Sequence, residues 1–131
     1  MQKKILIIDD DHSLLRLTQM ILERHGYKSA IAPSSAKAKE KLQSDGRVDL
    51  IILDLMMPDE DGFSFLKWLE FKSGFDPEIP VILNTAKSLS DAEYEEFHKH
   101  CHKIILKGMN FTEILIAEVT AVFNECKLAD L

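Results

Sequence analysis

The sequence predicts an α/β fold in which a doubly wound parallel sheet carries helices on both faces. Four short apolar runs lie at residues 5–8, 50–53, 81–83 and 104–106, and residues 27–32 form a weaker fifth candidate. Continuous apolarity in short β-branched runs is typical of strands that are buried on both faces. Helical segments separate the runs, so a βα unit occurs five times, and right-handed crossovers then give a parallel sheet.

The helices are marked by their ends. The first begins near His12 and stops at Gly26, a residue suited to the left-handed position that follows a helix. The second covers residues 35–43 and the third residues 62–72. Ser90 with Glu93 forms a capping box for the fourth helix.

Asn110 and Glu113 open the fifth helix in a similar way. Apolar residues at helical spacing predict which helix faces are buried. On the third helix these are Phe65, Leu66 and Leu69, and on the fifth they are Phe111, Leu115, Val119, Val122 and Cys126.

Two aromatic residues of the third helix, Trp68 and Phe71, are predicted to point largely outward at 100° per residue. Exposed aromatic side chains on neighbouring turns mark a partner surface in some proteins. Packing under a neighbouring loop is the alternative, and the sequence leaves both open.

Length and charge restrict the class of protein. The 131 residues fit one domain, and the net charge of −6 argues against a nucleic-acid groove, which needs a basic face. The two cysteines, Cys101 and Cys126, are too few for a disulfide framework, so we expect a reducing, cytoplasmic location. The short apolar runs leave no room for a membrane span.

Polar residues follow each apolar run. In an open parallel sheet, the carboxyl ends of all strands lie along one edge, where ligands bind. The residues placed there are Asp9 and Asp10 after the first run, Asp54, then Asn84 and Thr85, and Lys107. Three carboxylates, a hydroxyl and an ammonium group are therefore expected to meet in one crevice.

Three adjacent carboxylates repel one another unless a cation shares the site. Mg²⁺ suits such a site because it takes one or two carboxylates and keeps water molecules that a phosphate displaces. Lys107 adds a positive point charge for a phosphoryl group, and Thr85 adds a hydroxyl donor. The chemistry predicted is metal-assisted phosphoryl transfer.

These motifs resemble those of the receiver domain of two-component response regulators, and the resemblance covers residues 4–124. The matching motifs are the acidic pair Asp9–Asp10, the loop Asp54–Gly62 with its Met-Pro and Asp-Gly steps, the pair Thr85–Ala86, and Lys107. The family implies a flavodoxin-like, CheY-like sheet of order 2-1-3-4-5. We therefore expect residues 1–131 to form a single receiver domain without an output domain.

The resemblance also assigns roles to the site residues. It implies that Asp54 is phosphorylated by the phosphohistidine of a sensor histidine kinase or a histidine phosphotransfer protein. Asp10, Asp54 and the main-chain carbonyl of Met56 would hold Mg²⁺, and Asp9 would contact the ion directly or through water. Lys107 would bind the phosphoryl oxygens.

The residues of the conformational switch are Thr85, Ala86 and position 104. Thr85 would move to hydrogen-bond the phosphoryl group and signal to a downstream protein. Ile104 stands where the family usually has Tyr or Phe, so the aromatic half of the switch is absent. Gly108 follows the lysine where the family usually has proline, and we expect the preceding peptide bond to be trans.

Other classes of function lack their motifs. The five glycines form no GxGxxG or Walker loop, no G-x-S-x-G elbow is present, and Met56 replaces the second acid of a haloacid-dehalogenase phosphatase. Catalysis is thus expected only of the domain's own phosphorylation and dephosphorylation. Two alternatives stay open: an adaptor that binds partners without phosphorylation, and a receiver excised from a larger regulator or hybrid kinase.

Partners are expected to be proteins, with a possible homodimer and with neither direct nucleic-acid binding nor membrane insertion. The fifth helix would offer Ile116 and Phe123 at the edge of its packed face. A zinc site built from His98, His100, Cys101 and His102 is disfavoured, since neither helical nor extended spacing brings all four together.

Overall fold

A computed structural model gives the structure of residues 2–44, 47–55, 57–71, 79–86, 88–108 and 110–129, with the backbone alone at residues 71 and 125–129. Strands and helices alternate along this part of the chain. The strands are β1 (Lys4–Ile8), β2 (Lys28–Ala32), β3 (Leu50–Asp54), β4 (Val81–Thr85) and β5 (Lys103–Leu106). The helices are α1 (His12–Arg24), α2 (Ser35–Ser44), α3 (Gly62–Phe71), α4 (Asp91–His98) and α5 (Phe111–Ala129).

The five strands form one parallel sheet in the order β2-β1-β3-β4-β5. Strand β1 pairs with both β2 and β3, so the chain reverses its direction of winding after β2. The predicted fold class and strand order are confirmed. This topology puts the carboxyl ends of β1 and β3 side by side, where a switch-point crevice opens.

The sheet has one apolar cluster on each face because successive side chains alternate between faces. On one face, Leu6, Ile8 and Leu53 pack with residues of α2 and α3. On the other face, Ile5 and Ile52 pack with residues of α1 and α5. The central strands β1, β3 and β4 are thus buried on both faces, as their continuous apolar runs predict. The edge strand β5 departs from the prediction, because its Leu106 is 52% exposed and Ile105 alone among its four residues is buried.

The predicted ends of α1 and the predicted start of α4 are present. The Asp11 carboxylate accepts a hydrogen bond from the Leu14 backbone N–H at 3.1 Å and caps α1. Gly26, with φ +88°, adopts the left-handed conformation that glycine tolerates best. Ser90 and Glu93 form both halves of the capping box, each bond measuring 3.1 Å.

The buried helix faces also agree with the sequence pattern. Those side chains of α3 and α5 that are predicted to be buried and that the structure describes all belong to the core. Ile116 and Phe123 are half-buried against it, and the Phe123 ring lies 5.4 Å from that of Tyr27. The side chain of Cys126 lies outside the described part.

Trp68 corrects one prediction, because it is half-buried instead of pointing largely outward. Its ring lies 5.7 Å from the Phe65 ring and 5.3 Å below the Lys39 Nζ of α2. The indole therefore packs in the groove between α2 and α3, which agrees with the packing alternative, although a helix and not a loop covers it. The Phe71 side chain lies outside the described part.

Candidate active site

Three carboxylates meet at the carboxyl ends of β1 and β3. Asp9, Asp10 and Asp54 each offer an oxygen atom, and these atoms all lie within 4.8 Å of one another. Asp9 and Asp54 are only 3% and 4% exposed, whereas Asp10 lies on the exposed side. The arrangement follows from the topology, since Ile8 pairs with Leu53 and the next residue of each strand end is an aspartate.

Lys107 supplies the cation of the site. Its Nζ lies 2.8 Å from Asp9 Oδ2 and 3.5 Å from Asp54 Oδ1. Its backbone N–H donates to the carbonyl oxygen of Thr85 at 2.7 Å, which ties the lysine to the end of β4. One ammonium group thus faces three carboxylates, and the site keeps a surplus of negative charge.

Asp9 has both carboxylate oxygens engaged within the protein. Oδ2 accepts from Lys107, and Oδ1 accepts from the backbone N–H of Asp11 at 3.0 Å. Asp11 in turn caps α1, so the first turn of that helix fixes the orientation of Asp9. The orientation of the Asp9 carboxylate is therefore fixed by a hydrogen bond to each of its oxygen atoms.

The predicted switch residues lie at the neighbouring strand ends. Thr85 closes β4 and is 2% exposed, and Ala86 after it is exposed. Ile104 of β5 pairs with Leu83 of β4. Its side chain is half-buried and packs against the core on the α2–α3 side of the sheet. No cis peptide bond occurs in the described ranges, so the Lys107–Gly108 bond is trans, as predicted.

The segment between β3 and α3 follows directly on Asp54. A Cβ atom on Gly62 would lie 2.8 Å from Leu55 Cδ1 and 3.1 Å from Leu55 Cα, so only glycine permits this close approach. The Gly62 backbone N–H donates to the Leu55 carbonyl at 3.1 Å and closes the loop. Met56, the predicted carbonyl ligand, lies outside the described residues.

The same loop contacts the start of α2, which no pattern in the sequence predicts. Asp59 accepts hydrogen bonds from the backbone N–H groups of Ser35 and Ala36, and Glu60 accepts one from the Ser35 hydroxyl. Lys39 Nζ lies 3.0 Å from Glu60 Oε1. The sequence indicates that Ser35 begins a helix, but no local pattern indicates that its hydrogen-bond partners lie more than 20 residues away.

Asn84 also received no role from the sequence. It is 3% exposed on β4, and its Oδ1 has no hydrogen-bond partner among the atoms that the structure describes. The one available signal was the polar residue that directly follows the apolar run 81–83. A buried acceptor without a partner is unusual in folded proteins.

The histidine-rich segment contacts α3. Among the described residues, the acidic trio is the group of ligand-bearing side chains with metal-binding geometry. His100 Nδ1 instead lies 2.9 Å from Glu70 Oε1.

Burial raises the pKa of the Cys101 thiol to about 11. A backbone hydrogen bond involving Lys103 partly opposes this increase.

A hard divalent cation fits the acidic trio. Carboxylate oxygens are the ligands that such ions prefer, and two of these carboxylates are buried beside a single ammonium group. The exposed Asp10 leaves one side of the cluster open for water or a phosphoryl oxygen.

Within the described ranges, every helix is too short or too polar to cross a bilayer.

Comparison with known proteins places the chain in a family. Residues 5–118 match the model of the response regulator receiver domain. The transcriptional regulatory protein ZraR of Klebsiella oxytoca is 34% identical over 113 residues, which are 86% of this chain and 25% of that protein. PhoP of Bacillus subtilis, an alkaline phosphatase synthesis regulator, is 37% identical over 76% of this chain and 37% of its own length.

Solved structures agree. The chemotaxis response regulator CheY4 of Vibrio cholerae superposes with a TM-score of 0.82 at 26% identity, covering 93% of this chain and 99% of that one. The N-terminal domain of a receiver protein from Methanoculleus marisnigri gives 0.70 at 32% identity, covering 87% and 91%.

The chain spans between a quarter and about half of the length of the first curated relatives it matches. The match is therefore to their receiver portion. The strand order, the acidic trio and the lysine beside it agree with that assignment. The chain belongs to the family of response regulator receiver domains, whose members are phosphorylated in two-component signalling.

Proposed function

We propose that this receiver domain takes a phosphoryl group onto the carboxylate of Asp54, with a divalent cation held by Asp9, Asp10 and Asp54. The observation that carries the proposal is the position of the Lys107 ammonium, 2.8 Å from Asp9 and 3.5 Å from Asp54 beside the clustered carboxylates. A phosphoryl group on Asp54 would have this ammonium group within reach. The Met56 carbonyl completes the proposed ligand set.

Asp54 is the best candidate for the nucleophile among the three carboxylates. Asp9 has both oxygens engaged, by Lys107 and by the Asp11 N–H. Asp10 lies on the exposed side, away from the lysine contacts that the structure gives to the other two. Asp54 is buried, and its Oδ1 faces Lys107 at the longer distance.

The reaction is an in-line displacement. A carboxylate oxygen of Asp54 forms a bond to phosphorus while the bond from phosphorus to the imidazole nitrogen of the donor breaks, and that nitrogen keeps the electron pair. Lys107 binds the phosphoryl oxygens and balances their charge. Bound Mg²⁺ would supply further charge neutralisation between the carboxylates and the incoming phosphoryl group.

Thr85 is the proposed link to the output. It is buried at the end of β4 and is tied through its carbonyl to the backbone of Lys107. A hydrogen bond from its hydroxyl to the phosphoryl group would move the segment that leads through Ala86 to α4. We propose a histidine kinase or a histidine phosphotransfer protein as the donor, and a downstream protein as the reader of α4 and β5.

The test is intact-mass spectrometry after incubation with acetyl phosphate and Mg²⁺. We expect one phosphoryl group on the parent chain and none on Asp54→Asn or in the presence of EDTA. Asp91→Asn, which removes an exposed carboxylate of α4, is the matched control and is expected to react like the parent. A mass increase that survives in Asp54→Asn contradicts the assignment.

A further inference from the structure

The buried amide of Asn84 lies between Asp54 and the strand that leads to Lys107. In the sheet register, Asn84 pairs with Asp54 on one side and with Ile105 on the other. Ile52, Ile82 and Ile105 share the α1–α5 side of the core. Because side chains alternate, Asp54 and Asn84, each two residues after one of these isoleucines, point to that same side.

The lysine side chain must pass the end of β4 to reach its partners. Lys107 follows β5, whereas the carboxylates it contacts lie at the ends of β3 and β1. The sheet order puts β4 between β5 and these two strands. The path from the Lys107 backbone to its Nζ therefore passes the end of β4, close to the buried Asn84, whose Oδ1 has no partner among the described atoms.

The present partners of Lys107 are the groups proposed to hold the metal. When a divalent cation binds Asp9 and Asp54, it withdraws negative charge from both carboxylates and repels the ammonium group. The ammonium group has three N–H donors and then needs another acceptor. A neutral amide provides one without adding a fourth negative charge to the site.

We propose that Asn84 is a positioning residue whose Oδ1 accepts a hydrogen bond from the Lys107 ammonium group when the carboxylates bind a divalent cation. The inference rests on the proposed function, because it presumes that the trio binds the metal. It supplies a partner for a buried acceptor that has none among the atoms that the structure describes. It also gives the lysine a defined place from which to meet a phosphoryl group.

The test is a double-mutant cycle on Mg²⁺ affinity, measured by calorimetry without any phosphoryl donor. The variants are Asn84→Leu, Lys107→Met and the combination of the two. If Asn84 acts only in the metal-bound state, Asn84→Leu weakens Mg²⁺ binding by roughly threefold to tenfold, the equivalent of one hydrogen bond. In the Lys107→Met background the same change has little effect, because the amide has lost its partner.

A second readout is the side-chain amide signal of Asn84 in NMR spectra. We expect it to shift when Mg²⁺ is added to the parent chain and to shift much less in Lys107→Met. Asn84→Val, which suits a buried strand, replaces Asn84→Leu if the leucine variant does not fold.

Three outcomes overturn the proposal. Equal loss of Mg²⁺ affinity in both backgrounds means that Asn84 acts without Lys107. Unchanged affinity together with a lower metal-free melting temperature means that a buried water molecule is the partner of Oδ1. An Asn84 signal that does not respond to saturating Mg²⁺ excludes the new contact. Failure of the parent chain to bind Mg²⁺ at all would instead refute the proposed function.

Discussion

The carboxylate of Asp59 accepts a hydrogen bond from the backbone N–H of Ala36 at 3.2 Å, so the loop that follows β3 caps α2, the helix that precedes β3 in the chain. The same carboxylate accepts from Ser35, and the Ser34 hydroxyl accepts from the Lys37 N–H. The first three amides of α2 are thereby satisfied. The loop after Asp54 and the start of α2 consequently form one unit.

Removal of this cap is expected to destabilise the fold. Asp59→Ala should lower the free energy of unfolding by about 1 kcal/mol, the usual cost of a lost helix cap. Urea denaturation followed by circular dichroism measures the change. Glu95→Ala, an exposed position of α4, is the control and should change stability by less than about 0.5 kcal/mol. Equal stability of Asp59→Ala and the parent would mean that the contact contributes nothing.

Mg²⁺ should raise the melting temperature of the parent chain, because the ion binds the folded acidic trio and not the unfolded chain. Without metal, Asp10→Asn should itself be stabilising by up to about 1 kcal/mol, since it relieves repulsion among carboxylates whose oxygen atoms lie within 4.8 Å of one another. Differential scanning calorimetry in EDTA makes the comparison. A metal-free Asp10→Asn variant that melts below the parent would show that the trio is not strained.

Thr85→Ala tests the output route. It should leave phosphorylation of Asp54 by acetyl phosphate largely intact, because the hydroxyl is not the attacking group. It should abolish the phosphorylation-dependent changes in amide hydrogen exchange across α4 and β5. Thr85→Ser keeps the hydroxyl group and should preserve those changes. If they persist in Thr85→Ala, the signal leaves the site through the Leu55–Gly62 loop instead.

The raised pKa of Cys101 predicts low thiol reactivity. Burial disfavours the charged thiolate and raises the pKa from its ordinary 9.0 to about 11, so the thiolate fraction near pH 8 falls by about 100-fold. In a Cys126→Ser background, alkylation by iodoacetamide should keep rising tenfold per pH unit beyond pH 9. The urea-unfolded chain serves as the control and should level off near pH 9. A plateau at that pH in the folded protein contradicts the prediction.

Much of the fold and of the site could be predicted from the sequence, because the patterns that indicate them lie within a few neighbouring residues. Each of the four apolar runs marks a strand through the composition of three or four residues, and the Ser90–Glu93 capping box lies within one helical turn. The convergence of Asp9, Asp10 and Asp54 needed only one further rule, that parallel strands present their carboxyl ends at one edge. Trp68 was misjudged because helical periodicity alone does not show that Lys39 of a neighbouring helix covers the indole.

The sequence by itself determined the order of the βα units, the burial of the central strands and the side chains that meet at the sheet edge, since these depend on patterns within a strand or a turn. Only the tertiary structure decided which partner each of those side chains takes. Lys107 meets Asp9 across 98 residues, and Asp59 caps α2 across more than 20. The buried Oδ1 of Asn84 has no partner among the described residues. Such pairings depend on strand register and on the path of the loops. A shift of a few ångströms exchanges one acceptor for another, and no local sequence pattern determines the position of a side chain to that precision.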